Sequence, residues 1–127
     1  MSTRILVVED HPLSRELVVD LLEPEGYEVL QAQSAEEGLQ LAREQRPDLI
    51  LMDFRLPGMN GIDAARSLKS DPATEKIPVV LLTAHIPGRR EELELLESCA
   101  GFVNKPLDIR KFPVAIAGFL SQARAGG

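Results

Sequence analysis

The 127-residue chain has one cysteine, Cys99, and so no internal disulfide. Its fold must rest on a core, and a reducing cytoplasm suits it. It has no basic excess either: 14 Lys and Arg stand against 20 Asp and Glu, a net charge of −6. The one basic doublet, Arg89-Arg90, runs straight into Glu91, Glu92, Glu94 and Glu97. That pattern excludes the basic face of a direct nucleic-acid partner. No apolar run is long enough to span a bilayer. The opening "MSTRILVVED" lacks a cleavable signal pattern, since its short apolar run ends in acids. No repeat, linker or low-complexity tract divides the chain, and only "ARAGG" reads as a fraying end. What is there, 44% apolar and 27% charged residues, describes one soluble globular domain over residues 1–127 with a core at about 3–122.

Apolar runs alternate with amphipathic stretches along this domain. Strands are expected at Ile5–Val8, Val29–Ala32, Leu49–Met52, Ile77–Leu82 and Gly101–Asn104. Leu13, Leu17, Val18, Leu21 and Leu22 define a first helix, with Pro12 near its start and Gly26 near its stop. Ser34 and Glu37 form a capping-box pair ahead of a second helix to about Gln45. A third helix fits Ile62 to Ser70 and a polar fourth fits Arg89–Ser98. Ile109, Phe112, Ile116, Phe119 and Leu120 mark the stripe of a fifth, whose start Pro113 should delay or distort.

Five strands alternating with five helices imply a doubly wound α/β domain, its mostly parallel sheet covered on both faces. Right-handed crossovers then point every strand the same way. All strand C-terminal ends share one edge, where open α/β sheets place their sites. The residues at those ends are Glu9 and Asp10, then Asp53, then Thr83, then Lys105 with Pro106. Three carboxylates held together repel one another. A hard divalent cation such as Mg²⁺ removes that cost through oxygen ligands. Lys105 supplies a charge for an anionic oxygen, and Thr83 a hydrogen bond. This set suits phosphoryl transfer onto Asp53. Each part has a plainer role when taken alone: "ED" can cap a helix, Thr favours strands, Lys is a surface residue, and Asp can cap a turn. Their joint arrival at successive strand ends is what argues for a site.

"ILVVEDHPLSRELVVDLLEPEGYEV", "PDLILMDFRLPGMNGID", "IPVVLLTAH" and "CAGFVNKPLD" occur in that order over essentially the whole chain. In these blocks the sequence resembles the receiver domains of bacterial two-component response regulators, of the single-domain chemotaxis type. The resemblance implies a flavodoxin-like (βα)5 fold with strand order 2-1-3-4-5. It implies a phosphoprotein of phosphorelay signal transduction, in which Asp53 accepts a phosphoryl group from a phosphohistidine of a sensor histidine kinase or histidine phosphotransfer protein. Asp10 matches the direct Mg²⁺ ligand, Glu9 the acid that holds the metal through water, and Arg55 the residue that offers its backbone carbonyl; Mn²⁺ would substitute. Thr83 matches the switch hydroxyl and Lys105 the lysine that pairs with the phosphoryl group. The Lys105–Pro106 bond corresponds to one that is typically cis. Phe102 matches the aromatic that turns inward on activation.

Arg55 and His85 match the two positions that tune phosphoryl lifetime, and the long Arg55 side chain is expected to slow self-dephosphorylation. "IPGRR", residues 86–90, reads as a turn and helix start, and alternatively as a segment that reorders on phosphorylation. His11 is expected at the pocket mouth without a partner for a zinc-type site. Cys99 is expected to be a small buried side chain.

Three other functions compete. A phosphatase of the haloacid-dehalogenase type would need a second Asp where Arg55 stands. A flavin-binding protein would need a phosphate-cradling loop after the first strand. A phosphorylation-independent binding module, the main alternative, would not need the intact set of Glu9, Asp10, Asp53, Thr83 and Lys105. The chain is thus expected to be a signalling domain and not an enzyme, beyond limited self-phosphorylation from small donors and self-dephosphorylation. The kinase is expected near the first helix, at Pro12, Leu13 and Arg15. The downstream target is expected on the face of the fourth helix, fifth strand and fifth helix, with Arg89, Arg90, Phe102 and Arg110 as contacts. The initiating Met and full last helix favour a stand-alone or N-terminal receiver.

Overall fold

The computed structural model describes residues 2–56, 59, 61–84, 90 and 99–126. Within these, five strands run in order, β1 (Arg4–Val8), β2 (Glu28–Ala32), β3 (Leu49–Asp53), β4 (Val79–Thr83) and β5 (Gly101–Asn104). Four described helices are α1 (Pro12–Leu22), α2 (Ala35–Gln45), α3 (Gly61–Ser70) and α4 (Lys111–Gly126). The last is the fifth helix of the sequence pattern. Of its expected fourth helix only Arg90 is described; the rest of that stretch, Arg89 included, and His85 lie outside the described residues.

The strands form one parallel sheet ordered β2-β1-β3-β4-β5. β1, β3 and β4 read as unbroken apolar runs because both of their faces are covered. Leu6, Val8, Ile50, Met52, Val79 and Leu81 face the cluster beneath α2 and α3. Ile5, Val7, Leu49, Leu51, Val80 and Leu82 face the cluster beneath α1 and α4. Two glycines let helices approach closely. A Cβ on Gly38 would sit 2.6 Å from Val8 Cγ2, and one on Gly101 would sit 2.6 Å from Phe119 Cε1. No helix among the described residues is long and apolar enough to cross a membrane.

The ends of the elements follow local chemistry. α2 opens on Ser34, whose Oγ accepts from the Glu37 N–H at 3.2 Å. The Glu37 carboxylate reaches back one residue further than in a regular capping box, to the Gln33 N–H. α1 stops before Gly26 because Pro24 sits in a short 3-10 turn at Glu23–Glu25, and Gly26, at φ +92°, ends that turn. One expectation needs correction. Ile109 is 65% exposed and precedes α4, so it belongs to no buried stripe. Pro113 goes with the delayed start expected from the sequence, the helix beginning at Lys111. Asp108 Oδ1 accepts from the Arg110 and Lys111 N–H groups at 3.0 and 3.1 Å, and the Asp108 carbonyl accepts from the Phe112 N–H at 2.9 Å; Pro113, next in line, has no N–H to continue that ladder. Cys99 is half-buried, packed at the margin of the α2/α3 cluster.

Candidate functional site

The strand order places the ends of β1, β3 and β4 side by side. Val8 pairs with Met52, Asp53 with Leu82, and Thr83 with Asn104 of β5, so each residue that follows or ends a strand emerges on the same edge. Asp53 is the last residue of a wholly buried strand and is itself 7% exposed. Glu9 and Thr83 are each 1% exposed. Asp10, next to Glu9, is exposed. Carboxylate oxygens of Glu9, Asp10 and Asp53 all lie within 4.8 Å of one another.

Lys105 enters this group from the far end of β5. Its backbone N–H donates to the Thr83 carbonyl at 2.7 Å, and the Lys105–Pro106 peptide is cis. Its Nζ donates to Glu9 Oε2 at 2.9 Å and to Asp53 Oδ2 at 3.1 Å. One ammonium therefore bridges two buried acids. The remaining Asp53 oxygen, Oδ1, accepts from the Arg55 N–H at 3.1 Å. The Arg55 side chain is exposed.

Burial dominates the electrostatics. Glu9 is pushed up to about 7, first by loss of water and then by its hydrogen bond to Asp53, against the pull of Lys105. Lys105 is itself raised despite its burial, because Glu9 and Asp53 favour its charge. The site is thus short of positive charge: one lysine faces three carboxylates. Three hard oxygen donors and a charge deficit match a divalent cation of the Mg²⁺ type, and no nitrogen or sulfur ligand joins the described cluster.

The helices frame the mouth. His11 caps α1, its Nδ1 accepting from the Ser14 N–H at 3.5 Å, which leaves it outside the carboxylate cluster. A cavity of about 350 Å³ opens beside Glu9 and Lys105, walled by Ser14, Leu17 and Val18 of α1 and by Pro106 and Leu107. Leu13 stands exposed on α1, and Phe102 is 38% exposed on β5. Arg15, which the sequence suggests only as a docking contact, turns its guanidinium onto the Glu9 carbonyl at 2.9 Å. Nothing in the spacing of the chain signals that contact, because it closes between a helix and a strand end.

The family model of the response regulator receiver domain matches residues 5–117. The polar-differentiation response regulator DivK of Brucella ovis is 37% identical over 123 residues, covering 97% of this chain and all of that protein. A CheY-like response regulator receiver domain protein from Methanospirillum hungatei superposes with a TM-score of 0.89 at 25% identity, covering 100% of both chains. The receiver domain of a sensor histidine kinase from Pseudomonas aeruginosa, with a magnesium ion coordinated in its active-site cleft, superposes with a TM-score of 0.84 at 28% identity, covering 95% of this chain and 99% of that one. With its sheet order, its edge of acids and its match over most of its length, this chain belongs to the response regulator receiver domains.

Proposed function

We propose that residues 1–127 act as a single receiver domain in which Asp53 is the phospho-acceptor. The observation that carries this reading is the bridge from Lys105 Nζ to Glu9 and Asp53, which gathers three distant parts of the chain around one carboxylate. In the reaction, an Asp53 oxygen attacks the phosphorus of a phosphohistidine on a sensor kinase or phosphotransfer protein. A P–O bond forms as the P–N bond breaks, and the electron pair leaves with the imidazole nitrogen, which takes up a proton. Asp10, Glu9, Asp53 and the Arg55 carbonyl would hold Mg²⁺, or Mn²⁺ in its place. A cation held by these groups would supply neutralising charge for the phosphoryl oxygens. Lys105 then exchanges its carboxylate partners for a phosphoryl oxygen, and Thr83 donates its hydroxyl to another.

Arg55 and His85 tune the lifetime of the acyl phosphate. Phe102, half out of β5, reports the change to a protein partner on the face of β5 and α4. The phosphoryl donor meets the opposite side of the mouth, by Pro12 and Leu13 of α1. The protein acts by protein contact and does not bind nucleic acid directly; its own chemistry is confined to accepting a phosphoryl group, from small donors as well, and losing it to water.

Intact-mass spectrometry after incubation with Mg²⁺ and acetyl phosphate tests this. A phosphoryl adduct is expected on the wild type and none on Asp53→Ala. A wild type that binds Mg²⁺ yet takes up no phosphoryl group from acetyl phosphate or a phosphohistidine donor would overturn the reading.

A further inference from the structure

Glu9 and Asp10 are neighbours at the end of β1, yet they are held in different ways. Glu9 is buried and its carboxylate is fixed by Lys105. Asp10 is exposed, and its carboxylate has no hydrogen-bond partner among the described residues. The direction in which Asp10 leaves the strand therefore depends on the backbone. That backbone is pinned from two sides. The Glu9 N–H donates to the Ala32 carbonyl of β2 at 3.0 Å, and the Glu9 carbonyl accepts from Arg15 Nη1 at 2.9 Å. The same guanidinium donates through Nε to Gln31 Oε1 at 3.3 Å, and Gln31 pairs with Val7 in the sheet. Arg15 is half-buried in this position.

We infer that Arg15 is a positioning residue for the cation site. Its guanidinium ties α1, the end of β1 and β2 together, and so fixes the Glu9–Asp10 peptide in the orientation that presents Asp10 alongside Glu9 and Asp53. The inference rests on the metal reading above. Two physical effects of Arg15 have opposite signs here. By charge alone, a cationic side chain beside a cation site weakens binding, and its removal tightens it. By position, removing a group that orients a ligand weakens binding. Lysine keeps the charge but cannot place two donors in the fixed fork that reaches Glu9 and Gln31 at once.

The test is an MgCl₂ titration of the ¹⁵N-labelled full chain, read from the Asp10 and Arg55 amide resonances. Wild type is compared with Arg15→Ala, Arg15→Lys and Gln31→Ala. Arg15→Ala is expected to weaken Mg²⁺ binding about tenfold, although it removes a positive charge. Arg15→Lys should recover little of that loss, and Gln31→Ala should cost about threefold. The metal-free Asp10 amide resonance should move in all three. Binding that is unchanged or tighter in Arg15→Ala overturns the inference. If that variant does not fold, wild-type affinity in both Arg15→Lys and Gln31→Ala overturns it instead. A wild type without Mg²⁺-dependent shifts overturns the metal reading itself, before any variant is made.

Discussion

Glu9 and Asp71 are both carboxylates paired with a cation, at opposite edges of the sheet. Glu9 follows β1, and Lys105 lies 2.9 Å from it. Asp71 lies between α3 and β4, and Arg43 Nε lies 2.7 Å from it. Their proton affinities move in opposite directions. Glu9 is raised to about 7, whereas Asp71 is lowered by the Ala73 N–H and then by Arg43. The ion pair is common to both, so it does not decide the sign. Water does. Asp71 keeps its hydration and gains donors; Glu9 loses its hydration and gains a second carboxylate, Asp53, for a neighbour. One edge of the molecule is built for stability and the other holds an electrostatic debt.

Removing Lys105 breaks that contrast most severely. Lys105→Met leaves Glu9 and Asp53 without their shared cation and is expected to cost about 2 kcal/mol at pH 8, toward the low side for a buried pair because the lysine is 24% exposed. At pH 5 the loss should shrink, since Glu9 then takes a proton. Urea unfolding of both proteins at the two pH values measures this, and an equal loss at both would show that Glu9 carries no such strain. Asp53→Asn works the other way. It removes the like charge beside Glu9 and is expected to stabilise the metal-free protein by about 1 kcal/mol while abolishing phosphorylation. A destabilised Asp53→Asn protein would contradict the picture of repulsion at this edge.

The pH dependence sharpens the comparison further. Glu9 titrates near 7 in the folded chain against 4.5 ordinarily. Below about 4.5 it is neutral in both states and costs nothing. As pH rises from there through 7, the unfolded chain releases the proton first, and folding loses stability. In the proposed cation site Mg²⁺ would have to displace that proton to use Glu9, so its stabilising effect should be larger at pH 8 than at pH 5. Thermal melts with and without MgCl₂ at the two pH values check this. A pH-independent Mg²⁺ increment in Tm would show that the cation does not depend on a deprotonated Glu9.

Much of this edge is legible in the chain, for a topological reason. Strands buried on both faces announce themselves as apolar runs, and a parallel sheet sends every C-terminal end to one side. Glu9, Asp10, Asp53, Thr83 and Lys105 can therefore be collected from the chain alone. Their individual conditions cannot. That Glu9 is buried and Asp10 exposed depends on how α1 leaves the strand. The contact from Arg15 to Glu9 spans six residues between two elements, and periodicity carries no information about it. Ile109 misled for a related reason. Its spacing fits the stripe of α4, but the Asp108 cap starts the helix only after it. The Arg43–Asp71 pair, 28 residues apart, left no trace in the local pattern at all.

That pair gives the smallest expected effect, and the most useful control. The Arg43 side chain is 52% exposed, so solvent screens its attraction to Asp71. The first cause of the lowered Asp71 affinity is moreover the Ala73 N–H, at 2.9 Å, which Arg43→Ala leaves in place. Arg43→Ala should therefore move Tm by no more than about 2 °C and leave the Mg²⁺ increment unchanged. Its pH response should mirror that of Glu9: a lowered carboxyl contributes stability above its ordinary range and loses it as pH falls through the folded value. Acid titration of wild type and Arg43→Ala by circular dichroism follows this directly. A large Tm loss in Arg43→Ala, comparable with that of Lys105→Met, would mean that ion pairing outweighs burial at both edges, and the contrast between them would fail.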